Sequence, residues 1–298
     1  MTRVIAVANQ KGGVGKTTTA VNVAACLAEA GFPTLLVDLD PQCNASSGLG
    51  VAADSATLSV YGVLGGRVSL ADVALPTAVD DLRVAPACPD LAGAEVELAG
   101  VAERETVLRD ALDGALGAYE FVFVDCPPSL GLLTVNGLAA AGEALVPVQA
   151  EYYALEGLAQ LLGTIELVGE RLNPGLRMLG IVITMLDART RLGREVVAEV
   201  RAHLGHSLFA TLVPRNVRLG EAPSHGLPIS RYDPTCAGSD AYFDLAKEIV
   251  SRGPGRAGGD AAAGGASGAA APAAVDGPLT DVDAAAGPRP PYGAHPGV

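Results

Sequence analysis

The sequence predicts an α/β fold built on a doubly wound, mostly parallel sheet. Short apolar runs rich in Val, Ile and Leu alternate along the chain with longer segments of helical periodicity. The first run, Val4–Ala8, is followed at once by a glycine-rich turn. Later runs end in aspartate, as expected where functional groups collect at the carboxyl ends of parallel strands. With 298 residues and 49% hydrophobic content, the chain is able to bury a large core.

The first strand leads into the loop Asn9–Thr18, NQKGGVGKTT, and then into a helix expected over 17–30. A strand, a glycine loop and a helix start form a site for phosphates, because loop N–H groups and the positive end of the helix converge on an anion. This arrangement is P-loop NTPase-like. It departs from the pattern G-x-x-x-x-G-K-[ST] because Gln10 stands at the first glycine position, and a second lysine, Lys11, lies inside the loop.

The chemistry of a phosphate loop assigns roles to these residues. We expect Lys16 to reach the β- and γ-phosphates of a nucleotide, Thr17 to bind Mg²⁺ through its hydroxyl, and Thr18 to contact the α-phosphate. Backbone N–H groups of the glycines cradle the phosphate oxygens. The candidate nucleotide-binding residues of the loop are Lys11, Gly12, Gly13, Val14, Gly15, Lys16, Thr17 and Thr18.

Two further strands end in acids. The run 34–37 is followed by Asp38 and Asp40, and the run 121–124 by Asp125. Because parallel strands end at the same edge of a sheet, these carboxylates are expected beside the phosphate loop, where they suit Mg²⁺ or an attacking water. Asp125 matches Walker B chemistry, which holds Mg²⁺ through water or through Thr17. The candidate metal ligands are therefore Thr17, Asp40 and Asp125.

Periodicity predicts the remaining elements. Further helices are expected over 57–64, 92–116, a segment ending near 172, 191–204 and 235–252. Further strands are expected over 82–86, 144–148, 179–185 and 208–213. The mixed charges of 92–116 indicate a solvent-facing side, with a partner site as the less favoured alternative.

Charge is distributed unevenly along the chain. The net charge of −13 argues against a simple nucleic-acid binder. However, residues 1–170 hold 7 basic and 21 acidic residues, whereas residues 171–252 hold 11 and 8. On the predicted helix 191–204, Arg191, Arg194 and Arg201 fall within a sector of roughly 80°. This basic side is either a solvated face or a contact for a phosphate backbone.

The rest of the composition narrows the class of protein. No apolar run reaches the ~18 residues of a membrane span, and the chain opens on its first strand, so we expect no signal peptide and a cytoplasmic protein. The five cysteines form no C-x-x-C pair, which argues against a metal or disulfide framework. From residue 253 the chain is rich in Gly, Ala and Pro. We expect a folded domain over 1–252 and a disordered tail over 253–298.

Several long motifs resemble one family. KGGVGKTT, LLVDLDPQCNASSGLG, FVFVDCPPSLGLLTVN, VPVQAEYYALEGL, MLDART and VPRNVRLGEAPSHG, in this order, resemble the ParA/Soj family of chromosome- and plasmid-partitioning ATPases. The resemblance extends from about Arg3 to Arg252. It implies slow hydrolysis of ATP with Mg²⁺ in a homodimer bridged by ATP, with Lys11 acting across the interface and Lys16 and Asp40 also catalytic. Asp40 would position the hydrolytic water, and Asp38 would lie close to Lys16 and Thr17.

The same resemblance implies further sites and partners. Residues 126–129 would form the switch that senses the γ-phosphate. The segment 151–156 would lie at the dimer interface, where Tyr152 and Tyr153 either make contacts or pack as half-buried residues. Pro214 and Asn216 match the adenine loop. The basic residues that fall at the family's DNA contacts are Arg189, Arg218 and Lys247. Non-specific double-stranded DNA of the nucleoid and a ParB-type centromere-binding protein are the implied partners.

Three other functions share this loop. The same switch acting on a protein cargo is the main alternative. A membrane-surface ATPase like MinD is disfavoured, because the tail lacks a basic amphipathic helix. A nitrogenase-reductase-like redox ATPase needs paired cluster cysteines, and only Cys126 stands at a suitable switch position. Because no histidine accompanies Cys126 in its motif, we expect it to be a packed residue rather than a nucleophile.

Overall fold

The structure is a computed structural model that describes residues 2–151 and 154–253. Within these residues, eight strands form one sheet: β1 Arg3–Val7, β2 Thr34–Asp38, β3 Leu75–Pro76, β4 Leu82–Ala85, β5 Phe121–Asp125, β6 Glu143–Gln149, β7 Arg177–Leu186 and β8 Leu208–Pro214. Their order is β3-β4-β2-β5-β1-β6-β7-β8, and every pair is parallel except the short edge pair of β3 and β4. The predicted fold class is confirmed.

Twelve α-helices accompany the sheet in the described residues. They are α1 Lys16–Glu29, α2 Asn44–Gly48, α3 Val60–Leu64, α4 Leu70–Val73, α5 Leu91–Glu97, α6 Val107–Asp113, α7 Leu132–Ala140, α8 Ala154–Arg171, α9 Arg191–Leu204, α10 Val217–Glu221, α11 Ile229–Tyr232 and α12 Ala237–Ser251. Three 3₁₀ turns cover Leu98–Gly100, Leu116–Ala118 and Ala222–His225. No helix in the part of the chain that the structure describes is long and apolar enough to cross a membrane.

The two faces of the sheet carry separate hydrophobic layers. In β1, Val4 and Ala6 pack into one layer, whereas Ile5 and Val7 pack into the other, as the alternation of a strand requires. Helices α1 and α12 fill the second layer, and α6, α7 and α8 fill the first. Burial of β1 on both faces explains why its sequence is a continuous apolar run without polar alternation.

Strand register brings the acids together. Val7 and Asp38 both pair with Asp125, because β5 lies between β1 and β2. The loop that follows β1 and the acids that end β2 and β5 therefore share one edge of the sheet. This is the edge at which open parallel sheets bind ligands.

The prediction of a single helix over 92–116 is wrong. The chain instead forms α5, a 3₁₀ turn and α6, with Glu103 in a left-handed conformation (φ 54°) between them. Asn136 of α7 stabilises this interruption: its amide group donates to the Arg104 carbonyl, and its side-chain oxygen accepts from the Leu108 backbone N–H. Bonds from a distant helix thus override the local periodicity.

Most other element predictions hold within a few residues, and α9 has the predicted bounds. The helix predicted over 57–64 is shorter, because Ser59 caps it by accepting from the Tyr61 N–H. The tail predicted over 253–298 lies outside the described residues from position 254 onward, as do Tyr152 and Tyr153.

Candidate nucleotide site

The glycine loop between β1 and α1 has the backbone shape of a phosphate site. Gly13 and Gly15 both have left-handed backbone conformations, with φ of 74° and 85°, which residues other than glycine rarely adopt. Gly15 is the N-cap of α1, and no side chain caps this helix end. The first N–H groups of α1 are therefore available to an anion.

Neighbouring strands hold the loop in place. Asn9 accepts a 2.9 Å bond from the Lys11 N–H and donates a 2.7 Å bond to the Pro147 carbonyl of β6. The hydroxyl of Thr184 in β7 donates a 2.7 Å bond to the Val14 carbonyl. The loop is thus attached to β6 and β7 by hydrogen bonds from side chains outside and inside it.

The two lysines of the loop have different environments. Lys16 is 6% exposed, and its Nζ donates a 3.1 Å bond to the Lys11 carbonyl. Burial lowers the pKa of Lys16, while the nearby charges of Asp125 and Asp40 oppose that fall. The Lys11 side chain is 37% exposed, and its Nζ forms a 2.9 Å ion pair with Glu151. Lys16 is therefore the buried lysine of the loop, and Lys11 is the solvent-exposed one.

Asp125 is a buried carboxylate without a partner. It is fully buried, and neither carboxylate oxygen has a hydrogen-bond partner among the described residues. Burial raises its pKa well above the usual range, and the charges of Asp38 and Asp40 raise it further, whereas Thr17 and Lys16 oppose the rise. A cation at this position would compensate the buried charge.

The site fits a magnesium ion held mainly by a nucleotide. No group of three or more His, Cys, Asp or Glu side chains in residues 2–151 and 154–253 forms a metal cage. Mg²⁺ commonly keeps waters and takes phosphate oxygens together with one or two protein oxygens. The oxygens of Asp125 and the nearby Thr17 hydroxyl suit a magnesium ion that takes only one or two protein oxygens. Asp40 is 6% exposed, and its Oδ1 accepts a 2.9 Å bond from the Gln42 N–H.

A cavity of about 480 Å³ opens beside the loop. Gly15 and Thr18 line it together with Pro214 and Asn216, so the structure brings the predicted adenine loop next to the predicted phosphate loop. Asn216 also caps α10, because its side-chain oxygen accepts a 2.8 Å bond from the Arg218 N–H. Part of the acceptor capacity of Asn216 is therefore used, and its amide donor remains available to a base.

Comparison with known proteins agrees with this geometry. A family model described as an AAA domain matches residues 2–178. The sporulation initiation inhibitor protein Soj of Bacillus subtilis is 51% identical over 253 residues, covering 85% of this chain and 100% of the relative. The chromosome-partitioning ATPase Soj of Thermus thermophilus is 55% identical over 250 residues, covering 84% and 96%.

The chain belongs to the ParA/Soj family of chromosome-partitioning ATPases. The resemblance predicted from its motifs is confirmed. Among solved structures, the cobyrinic acid a,c-diamide synthase of Mycobacterium smegmatis with bound ADP and magnesium is 40% identical, with a TM-score of 0.73. The match covers 84% of this chain and 94% of that one. The fold of this ParA/Soj-family chain is thus one that holds a magnesium nucleotide in a similar protein.

The basic residues predicted to contact DNA are exposed and paired with acids. Arg189, 91% exposed, forms a 2.9 Å ion pair with Asp187. Arg218 is 2.8 Å from Glu221 and 3.5 Å from Asp233. Lys247 is 2.9 Å from Asp244. The three basic side chains lie on the loop before α9, on α10 and on α12. Because each is paired with a carboxylate, a phosphate that binds them must compete with these intramolecular partners.

Two residues around the site, Thr184 and Tyr242, and the pairing of Glu151 with Lys11 were not predicted from the sequence. Thr184, which fixes the loop, lies inside an apolar strand and carries no local signal. Glu151 is the partner of Lys11, and Tyr242 of α12 lines the cavity. Each comes from a distant part of the chain, so only the folded sheet reveals it.

The expectation for Cys126 is confirmed. The side chain is fully buried in the hydrophobic layer that contains Val124 and Leu138. Burial raises the pKa of its thiol, with the Asp125 charge adding to the rise. Burial and a raised pKa both disfavour the thiolate form that a nucleophile requires.

Proposed function

We propose that this chain is an ATP-dependent dimer switch that binds DNA non-specifically and hydrolyses ATP to drive the segregation of a chromosome or plasmid. The observation that carries the proposal is the division of labour between the two loop lysines. Lys16 is buried close to the Asp125 charge, whereas the Lys11 side chain is 37% exposed and forms only an exposed ion pair with Glu151. One lysine suits the nucleotide of its own subunit, and the other suits that of a second copy.

Within one subunit, the groups that would bind ATP are arranged from phosphate to base. The N–H groups of 12–18 hold the phosphates, with Gly12, Gly13 and Gly15 allowing their close approach. Thr17, Asp40 and Asp125 would hold Mg²⁺. Pro214 and Asn216 contact adenine in the cavity. When bound, Mg²⁺ neutralises charge that develops on the phosphates.

Hydrolysis in this proposal depends on three side chains. Lys16 stabilises negative charge on the transferred phosphoryl group from within the subunit. Lys11 does so from the partner subunit, which makes turnover depend on dimer formation. Asp40 orients the attacking water through its carboxylate. Turnover is slow until a ParB-type protein stimulates it.

DNA is the proposed track for the ATP-bound dimer. The excess of basic over acidic residues in 171–252 supports this role, as does membership of the ParA/Soj family. Arg189, Arg218 and Lys247 are the proposed phosphate contacts, and the proposed location is cytoplasmic and nucleoid-associated. Non-specific attraction to a phosphate backbone depends on such local charge and weakens with salt.

A protein cargo in place of the chromosome remains the second candidate. The observation that favours it is the pairing of all three proposed DNA-contacting side chains with carboxylates, which reduces their free charge. The two candidates share the ATPase site and differ only in whether the ATP-bound dimer holds DNA.

Nucleotide-dependent dimerisation tests the core of the proposal. Sedimentation velocity is measured for wild type, Lys11→Ala, Lys16→Ala and Asp40→Ala with ATP, with ADP and without nucleotide. We expect ATP to produce a dimer in wild type and a longer-lived dimer in Asp40→Ala, because binding persists without hydrolysis. Both lysine variants should stay monomeric. A wild-type protein that remains monomeric with ATP, or a Lys11→Ala variant that dimerises normally, would contradict the proposal.

A further inference from the structure

The carboxylate of Asp38 accepts hydrogen bonds from both ends of the short segment that contains the proposed catalytic Asp40. Asp38 is fully buried at the end of β2. One of its oxygens accepts a 2.8 Å bond from the Ser46 N–H and a 2.6 Å bond from the Ser46 hydroxyl. The other accepts a 3.2 Å bond from the Asp40 N–H. One carboxylate therefore joins the two ends of the segment 40–46.

Ser46 extends this connection to another strand. It lies in α2 and is 1% exposed. While its hydroxyl proton points to Asp38, its oxygen accepts a 3.1 Å bond from the Ala87 N–H, which follows β4. The single hydroxyl thus links the ends of β2 and β4 through α2. Without it, a buried carboxylate oxygen and a buried N–H would each lose a partner.

The segment between these ends has little freedom. The Asp40 side chain accepts from the Gln42 N–H, and the Asp40 carbonyl accepts a 2.9 Å bond from the Cys43 N–H. Cys43 has a φ of 56°, a conformation that costs about 1 kcal/mol or more and persists only where its surroundings impose it. The attachment at Ser46 lies three residues beyond this point and opposes its relaxation.

We infer that Ser46 is a positioning residue for ATP hydrolysis, acting through Asp38 to fix the carboxylate of Asp40. This inference rests on the proposed role of Asp40 in orienting water. Ser46 makes no hydrogen bond to the phosphate loop, so its hydroxyl affects the hydrolytic step more than nucleotide binding. The same geometry gives the buried Asp38 carboxylate a structural role, because it bonds both ends of the segment that carries Asp40.

The test compares Ser46→Ala, Ser46→Thr and the neighbouring Ser47→Ala. Ser47 lies on the same short helix, is exposed and makes only a 3.5 Å bond to the Asn44 carbonyl, so it is a matched control. We expect Ser46→Ala to lower kcat about tenfold, consistent with the loss of a buried hydrogen bond, while KM and the Kd for ATP change less than about twofold. Ser46→Thr retains the hydroxyl and should restore kcat to within about threefold, and Ser47→Ala should match wild type.

Amide hydrogen exchange provides a second measurement that does not need activity. In Ser46→Ala, exchange at the Ala87 and Asp40 N–H groups should accelerate, whereas exchange at Lys16 should not. If Ser46→Ala is too unstable to purify, the same comparison is made between Ser46→Thr and Ser46→Cys, whose longer and weaker S–H donor should reproduce the loss of kcat.

Failure of the inference and failure of the proposed function are distinguishable. If Asp40→Ala abolishes turnover but Ser46→Ala keeps wild-type kcat, the positioning role of Ser46 is wrong and the role of Asp40 stands. An equal loss of ATP affinity and kcat in Ser46→Ala would also overturn it, because that indicates general disruption of the site. If Asp40→Ala retains turnover, the proposed hydrolytic role of Asp40 fails first.

Discussion

Lys11 forms a 2.9 Å ion pair with Glu151, and this pair occupies the lysine that the proposed dimer requires at its partner's phosphates. The other oxygen of Glu151 accepts a 2.6 Å bond from Gln149, which orients the carboxylate. Both charged side chains are more than a third exposed. Such a pair contributes about 0.2–1 kcal/mol, so it restrains Lys11 weakly and gives way to a phosphate.

Glu151→Gln should therefore strengthen the ATP-bound dimer. Release of Lys11 from its carboxylate should lower the dimer dissociation constant by no more than about fivefold, the equivalent of ~1 kcal/mol. The measurement is sedimentation equilibrium with ATP in the Asp40→Ala background, which limits hydrolysis. Glu195→Gln, which breaks the exposed Arg191–Glu195 pair on α9, is the control. Weaker dimerisation of Glu151→Gln would show that the glutamate aids the dimer.

Thr184 should affect nucleotide binding from outside the phosphate loop. Thr184→Val removes the 2.7 Å bond to the Val14 carbonyl while keeping the shape of the side chain. A buried hydrogen bond of this kind contributes about 0.5–1.5 kcal/mol, so the Kd for ATP should rise about two- to tenfold. Calorimetric titration with ATP and Mg²⁺ measures the change. Thr184→Ser keeps the hydroxyl and should bind ATP nearly as well as wild type; equal losses in both variants would contradict this role.

Asn216 combines two roles that substitution separates. Asn216→Asp keeps an oxygen that accepts from the Arg218 N–H and so preserves the cap of α10, but it loses the amide donor. Asn216→Ala loses both. If the amide group contacts adenine, both variants should bind ATP more weakly, and only Asn216→Ala should also melt at a lower temperature. ATP titration together with thermal unfolding distinguishes these effects. Normal ATP affinity in Asn216→Asp would exclude a contact between the amide and the base.

The buried Asp38 should give stability an acidic pH dependence. Burial raises the pKa of Asp38 to about 6, although hydrogen bonds from Ser46 and the Asp40 N–H favour its ionised form. The folded state therefore binds the carboxyl proton of Asp38 more tightly than the unfolded chain does. This proton binding makes its full contribution to the free energy of unfolding below about pH 4. The contribution is lost as the pH rises through about 6.

Comparison with Asp38→Asn isolates this contribution. The asparagine does not titrate, so its free energy of unfolding relative to wild type should increase by up to about 3 kcal/mol between pH 4 and pH 7. Urea unfolding at both pH values measures this difference without nucleotide or Mg²⁺. A difference that stays constant with pH would show that Asp38 titrates normally.

The sequence predicts those parts of the site that are formed by residues adjacent in the chain or at the ends of apolar strands. A glycine loop must be continuous in sequence to wrap a phosphate chain, so Gly13, Gly15 and Lys16 are evident before folding. The acids at the ends of β2 and β5 are evident for the same reason, because a parallel sheet gathers strand ends. That Asp38 lies beside Asp125, however, is known only once the order of the strands places β2 next to β5.

Other features depend on contacts between distant segments. Thr184 reaches Val14 from 170 positions away, and no pattern around either residue reveals the bond. The helical periodicity of 92–116 is genuine, yet Asn136 of α7 stabilises the interruption at Arg104 and Leu108. Tertiary hydrogen bonds decide such places, and local propensity is too weak to oppose them.

DNA binding is the measurement that tests the central claim most directly. Binding to a non-specific duplex is measured with ATP, with ADP and without nucleotide at two salt concentrations. The proteins are wild type, Lys16→Ala and Arg189→Ala combined with Arg218→Ala, and Arg67→Ala is the control because Arg67 lies in the acidic half of the chain.

We expect wild type and Arg67→Ala to bind the duplex only with ATP, and this binding should weaken as salt rises. Lys16→Ala and the double variant of Arg189 and Arg218 should lose binding. Binding that is independent of nucleotide would contradict the coupling of ATP to DNA. No binding under any condition, with ATPase activity intact, would contradict the DNA-bound switch and favour a protein cargo.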